Sequence, residues 1–346
     1  ANGNTAKDSV TIYIDLTAPV INILEPTSGS YLNYSHVNVS WNGSDALSGI
    51  DHYEVRLDMG SWIDVGTNTS YQFVGLPDGN HTVDVRAFDQ AGNIWMDTVW
   101  FVVDTVAPYV EILAPSNNSY VHGNVIISIN SSDVNPHTTW LVINGTTHAS
   151  WPGAGEFNYT WDTTQETEDV YEIVAYANDS AGNLASYMII VVVDNTVPSI
   201  SIDTPTDGEY VGGIVEINVT VYDVHLYLVE LYIDGNLVDN WNETGTHTYY
   251  WDTTATFDGT HTIKATAYDL AGNMNTQEIS VTVDNTIPFV RIEQPLNNSY
   301  VKGSVDIVVR ASDNIGLEKV QLIINGSTVD EWYESGPHWY LSLIHI

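Results

Sequence analysis

The amino-acid sequence predicts an all-β chain, organised as a tandem array of β-sandwiches with about seven strands each. Three observations lead to this fold class. Marker segments recur every 89 or 90 residues along the 346-residue chain. Within each period apolar residues alternate with more polar ones, and turn residues interrupt the chain about every 8 to 12 residues. No stretch shows a sustained helical period, so we expect several packed domains built from strands.

Two marker segments define the period. One has the form Asp-x-(Thr or Val)-x-Pro, and the other, Asp-x-Ala-Gly-Asn, ends 11 residues before the next copy of the first. Because both markers keep the same spacing, we predict complete repeats over residues 16–104, 105–194 and 195–284. The first marker begins at Asp15, Asp104, Asp194 and Asp284, and the second begins at Asp89, Asp179 and Asp269.

The start of the sequence falls inside this period. Counting 11 residues back from Asp15 reaches Asn4, which follows a glycine as the asparagine of the second marker does. We therefore expect residues 1–15 to be the last strand of a preceding repeat, and the sequence to begin inside a longer protein.

The end of the sequence departs from the period. Trp251 follows a Gly-x-His-x-Tyr segment in the third repeat, and the same segment in the fourth repeat predicts a tryptophan at position 342. Ser342 stands there instead, and the residues around it match nothing in the other repeats. We therefore expect residues 285–346 to be an incomplete fourth repeat with a non-matching tail over residues 341–346.

Apolar residues alternate along the segments that we interpret as strands. Val125, Ile127 and Ile129 alternate in the second repeat, and equivalent positions of the other repeats show the same pattern. A period of 2 is typical of a strand that buries one face. Turn segments such as Asn144-Gly145 and Asp234-Gly235 separate the strands, as such pairs do in hairpins.

The charge of the chain excludes several classes of function. The chain has 44 acidic and 8 basic residues and a formal net charge of −36, so it would repel nucleic acids and anionic lipid headgroups. No apolar stretch approaches the roughly 18 residues of a membrane-spanning helix, so we expect no membrane span in this sequence. The absence of cysteine excludes disulfides and thiolate metal sites.

The common catalytic motifs are absent from the sequence. It contains no His-Glu-x-x-His pairing and no Gly-x-Ser-x-Gly segment, and we expect no enzyme. His81 and His261 occupy the same position of the repeat, where the second repeat has Tyr171. We interpret this position as a corner residue that bonds to the backbone, the alternative being a catalytic base.

Four segments carry a resemblance to a known family. The segments Val193-Asp-Asn-Thr-x-Pro198, Ser299-Tyr-Val-x-Gly303, Trp251-Asp-Thr-Thr254 and the second marker resemble the tandem bacterial and archaeal Ig-like repeats of large surface or secreted proteins. These repeats are relatives in architecture of fibronectin type III modules. The resemblance implies Ig-like sandwiches that act as spacers, stalks or adhesion modules, many of which bind calcium between domains.

One set of polar residues in each repeat is a candidate calcium site. In an Ig-like sandwich the linker, the loop after the second strand and the hairpin before the last strand share one end, so their side chains should converge. Carboxylate and amide oxygens are ligands that suit Ca²⁺. The alternative is turn chemistry, because aspartate and asparagine also begin turns, and both interpretations stay open. The three sets are Asp15, Asp45, Asp89 and Asn93; Asp104, Asp133, Asp179 and Asn183; and Asp194, Asp223, Asp269 and Asn273.

Recurring tryptophans are a second candidate. Trp151, Trp241 and Trp332 share one position of the repeat, and Trp161 and Trp251 share another. If exposed, such rings could stack on sugars. We favour core and cross-strand packing, because a residue that follows the repeat register usually serves the fold.

Asparagine sequons suggest a secreted glycoprotein. Fourteen Asn-x-Ser/Thr sequons occur, although many arise by chance in a chain rich in these residues. The predicted glycosylation sites are Asn117, Asn144, Asn297 and Asn325.

We therefore expect a non-catalytic extracellular or cell-surface spacer, stalk or adhesion array, whose partner is an unknown surface protein or glycan. The alternative is an accessory region, glycan-binding or spacer, of a larger secreted hydrolase. A glycan-binding module should present a row of solvent-facing aromatic residues on one sheet. A hydrolase should carry a catalytic domain in the flanking sequence.

Overall fold

A computed structural model describes the backbone of residues 5–343 and the side chains of residues 5–340. These residues form strands joined by turns, with two short 3₁₀ turns at Thr163–Gln165 and Thr253–Ala255 and no α-helix, which confirms the predicted all-β class. No helix of the described part is therefore long and apolar enough to cross a membrane. The marker expected around Asn4 and residues 344–346 of the tail lie outside the described part.

The first repeat contains eight strands in two sheets. In chain order they are β1 (Val20–Glu25), β2 (Ser30–Leu32), β3 (Val37–Ser44), β4 (Ile50–Leu57), β5 (Ile63–Gly66), β6 (Ser70–Phe73), β7 (Gly79–Asp89) and β8 (Ile94–Val103). One sheet has the strand order β1-β3-β6 and the other has the order β2-β8-β7-β4-β5. This is a sandwich of three strands against five.

The second repeat has the same number of strands and the same order. Its strands are β9 (Tyr109–Ala114), β10 (Ser119–Val121), β11 (Asn124–Ser132), β12 (Pro136–Ile143), β13 (Thr146–Pro152), β14 (Glu156–Asp162), β15 (Val170–Asp179) and β16 (Leu184–Val193). Its three-stranded sheet has the order β14-β11-β9, and β16-β15-β12-β13 follow one another in its larger sheet.

The third repeat is built in the same way. Its strands are β17 (Ser199–Thr204), β18 (Tyr210–Val211), β19 (Ile214–Tyr222), β20 (Leu226–Ile233), β21 (Asn236–Trp241), β22 (Gly245–Asp252), β23 (Gly259–Asp269) and β24 (Met274–Val283). The sheet orders are β17-β19-β22 and β18-β24-β23-β20-β21.

The fourth repeat has five strands in the described residues. They are β25 (Phe289–Gln294), β26 (Ser304–Ser312), β27 (Val320–Ile324), β28 (Ser327–Trp332) and β29 (Gly336–Leu343). Val305 pairs with Ser342 in the backbone register, as Val215 pairs with Trp251 in the third repeat. Ser342 therefore occupies the predicted tryptophan position of the strand.

Each complete repeat has one strand more than the seven expected, because its first strand is divided between the sheets. β1 pairs antiparallel with β3, whereas β2 pairs parallel with β8. Pro26 follows β1, and because proline has no N–H to donate, the first ladder ends there. Pro115 and Pro205 follow β9 and β17 in the same way.

The chain divides into two compact units. One contains the residues up to Ser119 together with Gly123–Val193, and the other contains Tyr120–His122 together with the residues from Asp194 onward. Residues 5–19 form no strand. The repeat boundaries, and the assignment of residues 1–15 to a preceding repeat, stay predictions.

The core of each repeat lies between its two sheets. In the first repeat Val39 of the smaller sheet and Val83, Val85 and Phe101 of the larger sheet are fully buried. The inward residues alternate with outward ones, so the period of 2 in the sequence decides which side chains form the core. Burial of this apolar surface is the main stabilising contribution to each sandwich.

Trp161 and Trp251, which share one position of the repeat, are core residues. Trp161 is 2% exposed and Trp251 is 7% exposed. In the first repeat the sequence around Tyr71 lacks the Trp-Asp-Thr-Thr segment, but Phe73 pairs with Val37 as Trp161 pairs with Val125. The smaller Phe73 therefore takes the place of the tryptophan.

The tryptophans of the other recurring position, Trp151, Trp241 and Trp332, stack on neighbouring rings. Trp151 lies parallel to Phe157, with ring centroids 4.9 Å apart. Trp241 stacks on His247 at 4.9 Å, and Trp332 stacks on a histidine ring in the fourth repeat. All three are half-buried, which agrees with the packing interpretation of these residues.

The corner position also has a structural role. Nε2 of His261 lies 2.9 Å from the carbonyl oxygen of Phe257, and its Nδ1 lies 2.6 Å from Oδ2 of Asp234. His81 makes the equivalent pair of contacts, and the hydroxyl of Tyr171 donates to the carbonyl four residues upstream. Because His261 faces two acceptors, only the imidazolium form donates to both.

We expect Trp161→Ala to lower the free energy of unfolding by about 3–5 kcal/mol, because it removes a buried indole and leaves a cavity. Trp151→Ala, which removes a half-buried stacked ring, should cost about 1–2 kcal/mol. Urea unfolding followed by fluorescence measures both. Equal losses would show that the two tryptophans are equally buried in solution.

We expect the pKa of His261 to lie above its usual value. Burial lowers this pKa, but the hydrogen bonds to Asp234 and to the Phe257 carbonyl and the charge of Asp234 outweigh it. The stabilisation is therefore present below pH 6.5 and is lost as pH rises through the folded-state pKa. NMR titration of the imidazole should show a lower pKa in Asp234→Asn and no change in the control Asp239→Asn.

Candidate metal centres

Three acidic clusters form at the positions expected from the sequence. In each, a linker aspartate, an aspartate of the loop after the strand β3, β11 or β19, and an aspartate that ends β7, β15 or β23 come together. Each residue offers one carboxylate oxygen, and these oxygens lie within 4.8 Å of one another. We call them cluster 1 (Asp15, Asp45, Asp89), cluster 2 (Asp104, Asp133, Asp179) and cluster 3 (Asp194, Asp223, Asp269). The predicted convergence is present, and the binding of an ion stays a prediction.

The hairpin aspartate is held by the asparagine four residues later. In cluster 3 the Asn273 backbone N–H donates to Oδ1 of Asp269 at 2.8 Å, and Nδ2 of Asn273 donates to Oδ2 at 2.7 Å. Gly272, between them, has a φ of +93°, a conformation that favours glycine. The Ala-Gly-Asn sequence therefore closes the turn that presents the carboxylate.

The same asparagine ties the hairpin to the linker. Nδ2 of Asn273 also donates to the backbone carbonyl of Asp194 at 2.8 Å. Because both contacts are acceptors, the amide nitrogen and not the oxygen faces the cluster. Asn93 and Asn183 make the same contacts in clusters 1 and 2. These asparagines position the carboxylates, and the ligand role predicted for them stays a prediction.

The loop aspartate leaves one oxygen without a donor. In cluster 3 the backbone N–H of His225 donates to Oδ1 of Asp223 at 2.7 Å, and no described residue donates to Oδ2. The loop aspartates of the other clusters, Asp45 and Asp133, follow the same rule, with Oδ1 bonded within its own loop. Asp223 is only 7% exposed. A carboxylate oxygen of Asp223 lies within 4.8 Å of oxygens of the other two aspartates.

The partner of the linker aspartate differs between clusters, and sequence reasoning missed it. The backbone N–H of Ser48 donates to Oδ2 of Asp15 at 3.0 Å, Nδ2 of Asn135 donates to Asp104 at 2.8 Å, and Nδ1 of His225 lies 2.7 Å from Asp194. Asn135 and His225 both stand two residues after the loop aspartate. That shared offset is the signal that could have found them.

The pKa values of the cluster aspartates depend on their burial, on the hydrogen bonds that they accept and on the charges of their neighbours. Burial raises the pKa of Asp223, the His225 N–H opposes it, and the charges of Asp194 and Asp269 add to the rise. Asp133 in cluster 2 shows the same direction for the same reasons. In the more exposed cluster 1, hydrogen bonds from the hydroxyl and N–H of Thr17 lower the pKa of Asp15 to about 2.

The arrangement suits a hard divalent cation. No lysine or arginine of the described residues forms an ion pair with a cluster carboxylate, and His225 pairs with Asp194 as a charge only when its imidazole is protonated. The three neighbouring carboxylates otherwise repel one another. Ca²⁺ takes six to eight oxygen ligands at about 2.3–2.6 Å and tolerates irregular geometry. Three carboxylates with water would supply such a shell after small rotations of the side chains.

The predicted glycosylation sites lie at the surface. Asn117, Asn144, Asn297 and Asn325 are all exposed. Oδ1 of Asn117 accepts the backbone N–H of Ile190, and Oδ1 of Asn144 accepts that of Glu172, both at 2.9 Å. The modification itself stays a prediction.

Two curated proteins resemble the chain. Halomucin of Haloquadratum walsbyi is 28% identical over 204 residues, which are 58% of this chain and 2% of that protein. Exoglucanase B of Cellulomonas fimi is 28% identical over 216 residues, 56% of this chain and 19% of that protein. The chain therefore spans a small part of the length of either relative.

Solved structures with similar folds include fibronectin(III)-like modules of Clostridium thermocellum CbhA. They are 20% identical, cover 51% of this chain and 93% of the modules, and superpose with a TM-score of 0.37. The titin fragment I67–I69 is 13% identical, covers 78% of this chain and all of the fragment, and has a TM-score of 0.45.

Two family models match the sequence. The model for the bacterial Ig-like domain (group 3) matches residues 155–230. The model for the bacterial Ig domain matches residues 19–105, 198–265 and 288–341, more than half of the chain. Together with the sandwiches that the structure shows, these matches mean that the chain belongs to the bacterial Ig domain family.

Proposed function

We propose that the chain is a non-catalytic spacer or adhesion array of Ig-like modules outside the cell, stiffened by calcium at the three acidic clusters. The observation that carries the calcium role is the loop aspartate. In each cluster one of its oxygens has no donor among the described residues, and the aspartate lies beside two further carboxylates, each of the three offering an oxygen within 4.8 Å of the others. A bound Ca²⁺ would satisfy that oxygen and offset the repulsion, holding each linker aspartate against the loops beside it.

Several observations support a spacer role and a place outside the cell. The chain consists of repeated sandwiches, and its marker segments resemble the repeats of surface and secreted proteins. The net charge of −36 keeps such a chain soluble. The partner in an adhesive role would be a surface protein or a glycan.

The second candidate is an accessory region of a larger secreted hydrolase. The similarity to part of exoglucanase B favours it. Sequencing the flanking reading frame separates the two functions, because a catalytic domain there would support the accessory role.

We expect Ca²⁺ to bind the full chain and raise its melting temperature. An ion that binds only the folded state adds about 2.7 kcal/mol to the free energy of unfolding when its free concentration is a hundred times Kd. Calorimetric titration and thermal melts measure binding and stability. Mg²⁺ should substitute poorly, since it requires a tighter octahedral shell. The effect should disappear in the triple variant of the loop aspartates, Asp45→Asn, Asp133→Asn and Asp223→Asn.

A matched control replaces three turn aspartates outside the clusters, each of which accepts one backbone N–H. These are Asp64, Asp169 and Asp239, changed together to asparagine. The control should bind calcium as the unmodified chain does. An absence of heat and of any melting shift at millimolar Ca²⁺, or an equal loss in both variants, would contradict the calcium role.

Asp223→Asn alone should have effects of opposite sign with and without calcium. In a chelator it should raise the melting temperature by a few degrees, because it removes a repelled charge and keeps the acceptor for the His225 N–H. In millimolar Ca²⁺ it should lower the melting temperature relative to the unmodified chain. A change of the same sign in both conditions would show that the cluster is a turn and not an ion site.

A further inference from the structure

The larger sheets of the three complete repeats have the same pair of cross-strand positions on their outer faces, but fill them differently. In the first repeat Glu54 on β4 lies opposite Arg86 on β7, and the two side chains form an ion pair. In the second repeat Trp140 lies opposite Tyr176, and their rings stack with centroids 5.2 Å apart. Both pairs join the central strands across the sheet.

The arginine of the first repeat has aromatic neighbours as well as a carboxylate. Its guanidinium carbon lies 5.0 Å from the ring centroid of Phe88 and 4.1 Å from that of Trp62. Arg86 is therefore held by a cation–π contact and by a charge-assisted hydrogen bond to Glu54.

The third repeat keeps the carboxylate and the ring but lacks the cation. Glu230 stands in the register position of Glu54, and Tyr268 stands in that of Phe88. Thr266 takes the place of the arginine, and its hydroxyl is bonded to that of Thr276 at 3.0 Å. The Tyr232 hydroxyl donates to Oε2 of Glu230 at 2.7 Å, and no described residue donates to Oε1.

A groove lies beside Glu230 and Tyr268, whereas Thr266 itself is only 3% exposed. Its volume is about 490 Å³, and its walls include Tyr227, Leu228, Glu230, Tyr268, Leu270 and Asp269 of cluster 3. Tyr227 is 59% exposed and Leu270 is 46% exposed, so the groove is open to a partner. Lys264, on the same face beyond Tyr232, forms no ion pair among the described residues.

We propose that this groove binds the arginine side chain of a basic partner segment, between a carboxylate and an aromatic ring equivalent to those that hold Arg86 in the first repeat. The guanidinium would lie over the ring of Tyr268 and donate to Oε1 of Glu230, while the aliphatic stem packs on Leu228 and Tyr227. Charge complementarity supports this occupant, because the chain has a net charge of −36 and the groove contains a carboxylate without a basic neighbour in contact. The proposal does not rest on the calcium role, although Asp269 of cluster 3 also lines the groove.

The test uses the full chain and an acetylated Gly-Arg-Gly amide as the probe, titrated by NMR at constant ionic strength. The control probe carries citrulline, which has the shape of arginine without its charge. We expect the arginine probe to bind about tenfold more tightly, a difference of about 1.4 kcal/mol. The titration is made in a chelator, so that calcium bound at Asp269 does not contribute to the comparison of the two probes.

Two variants locate the site. Glu230→Gln keeps the shape of the groove and should reduce arginine binding to the level of citrulline. Thr266→Arg should place a guanidinium between Glu230 and Tyr268, as Arg86 lies in the first repeat, and abolish binding. The matched control is Glu216→Gln, an exposed glutamate on the smaller sheet of the same repeat, which should bind as the unmodified chain does. Equal binding of the two probes, or equal losses in Glu230→Gln and Glu216→Gln, would overturn the proposal and indicate general electrostatic attraction.

Discussion

Each repeat depends on one constraint, the burial of a single face of each of its two sheets. Because side chains alternate along a strand, this burial assigns every second residue to the core and leaves the others to solvent. Val39 and Phe101 lie inward from opposite sheets, whereas Arg86 and Tyr268 lie on outer faces. The acidic clusters and the cross-strand pairs of the larger sheets therefore lie in two places, the loops at the ends of the sheets and the outer faces.

The acidic clusters show how the loop end is organised. Asn273 joins a hairpin to a linker residue 79 positions earlier in the chain, and the equivalent asparagines do the same in the other repeats. These bonds bring three carboxylates together, although the repulsion between them opposes the fold. The structure supplies each linker aspartate with a different donor, a backbone N–H, an amide or an imidazole, which relieves part of that repulsion. The remaining oxygen of each loop aspartate receives no such donor from the described residues.

On the outer faces of the larger sheets, equivalent positions of the three repeats have different side chains. The three sandwiches have the same strand register. At one cross-strand position the first has an ion pair, the second has an aromatic stack, and the third has a carboxylate without a basic partner. Because the backbone around this position is equivalent in the three repeats, the differences are confined to side chains. Comparison between repeats of one chain therefore assigns a chemical class to the groove beside Glu230, which its shape alone would not do.

The sequence by itself determined the all-β class, the period and the residues that meet in the clusters, because these depend on alternation and on markers that recur at constant spacing. It also identified His81 and His261 as corner residues, since a position that accepts histidine or tyrosine serves the fold. Three features were decided only by the tertiary structure. They are the division of the first strand, the substitution of Phe73 for tryptophan, and the orientation of the cluster asparagines with the amide nitrogen toward the carboxylates. The same holds for Glu230 and Thr266, which are 36 residues apart in the sequence. Such features depend on strand register and on hydrogen-bond partners that are distant along the chain, and no local pattern encodes those partners.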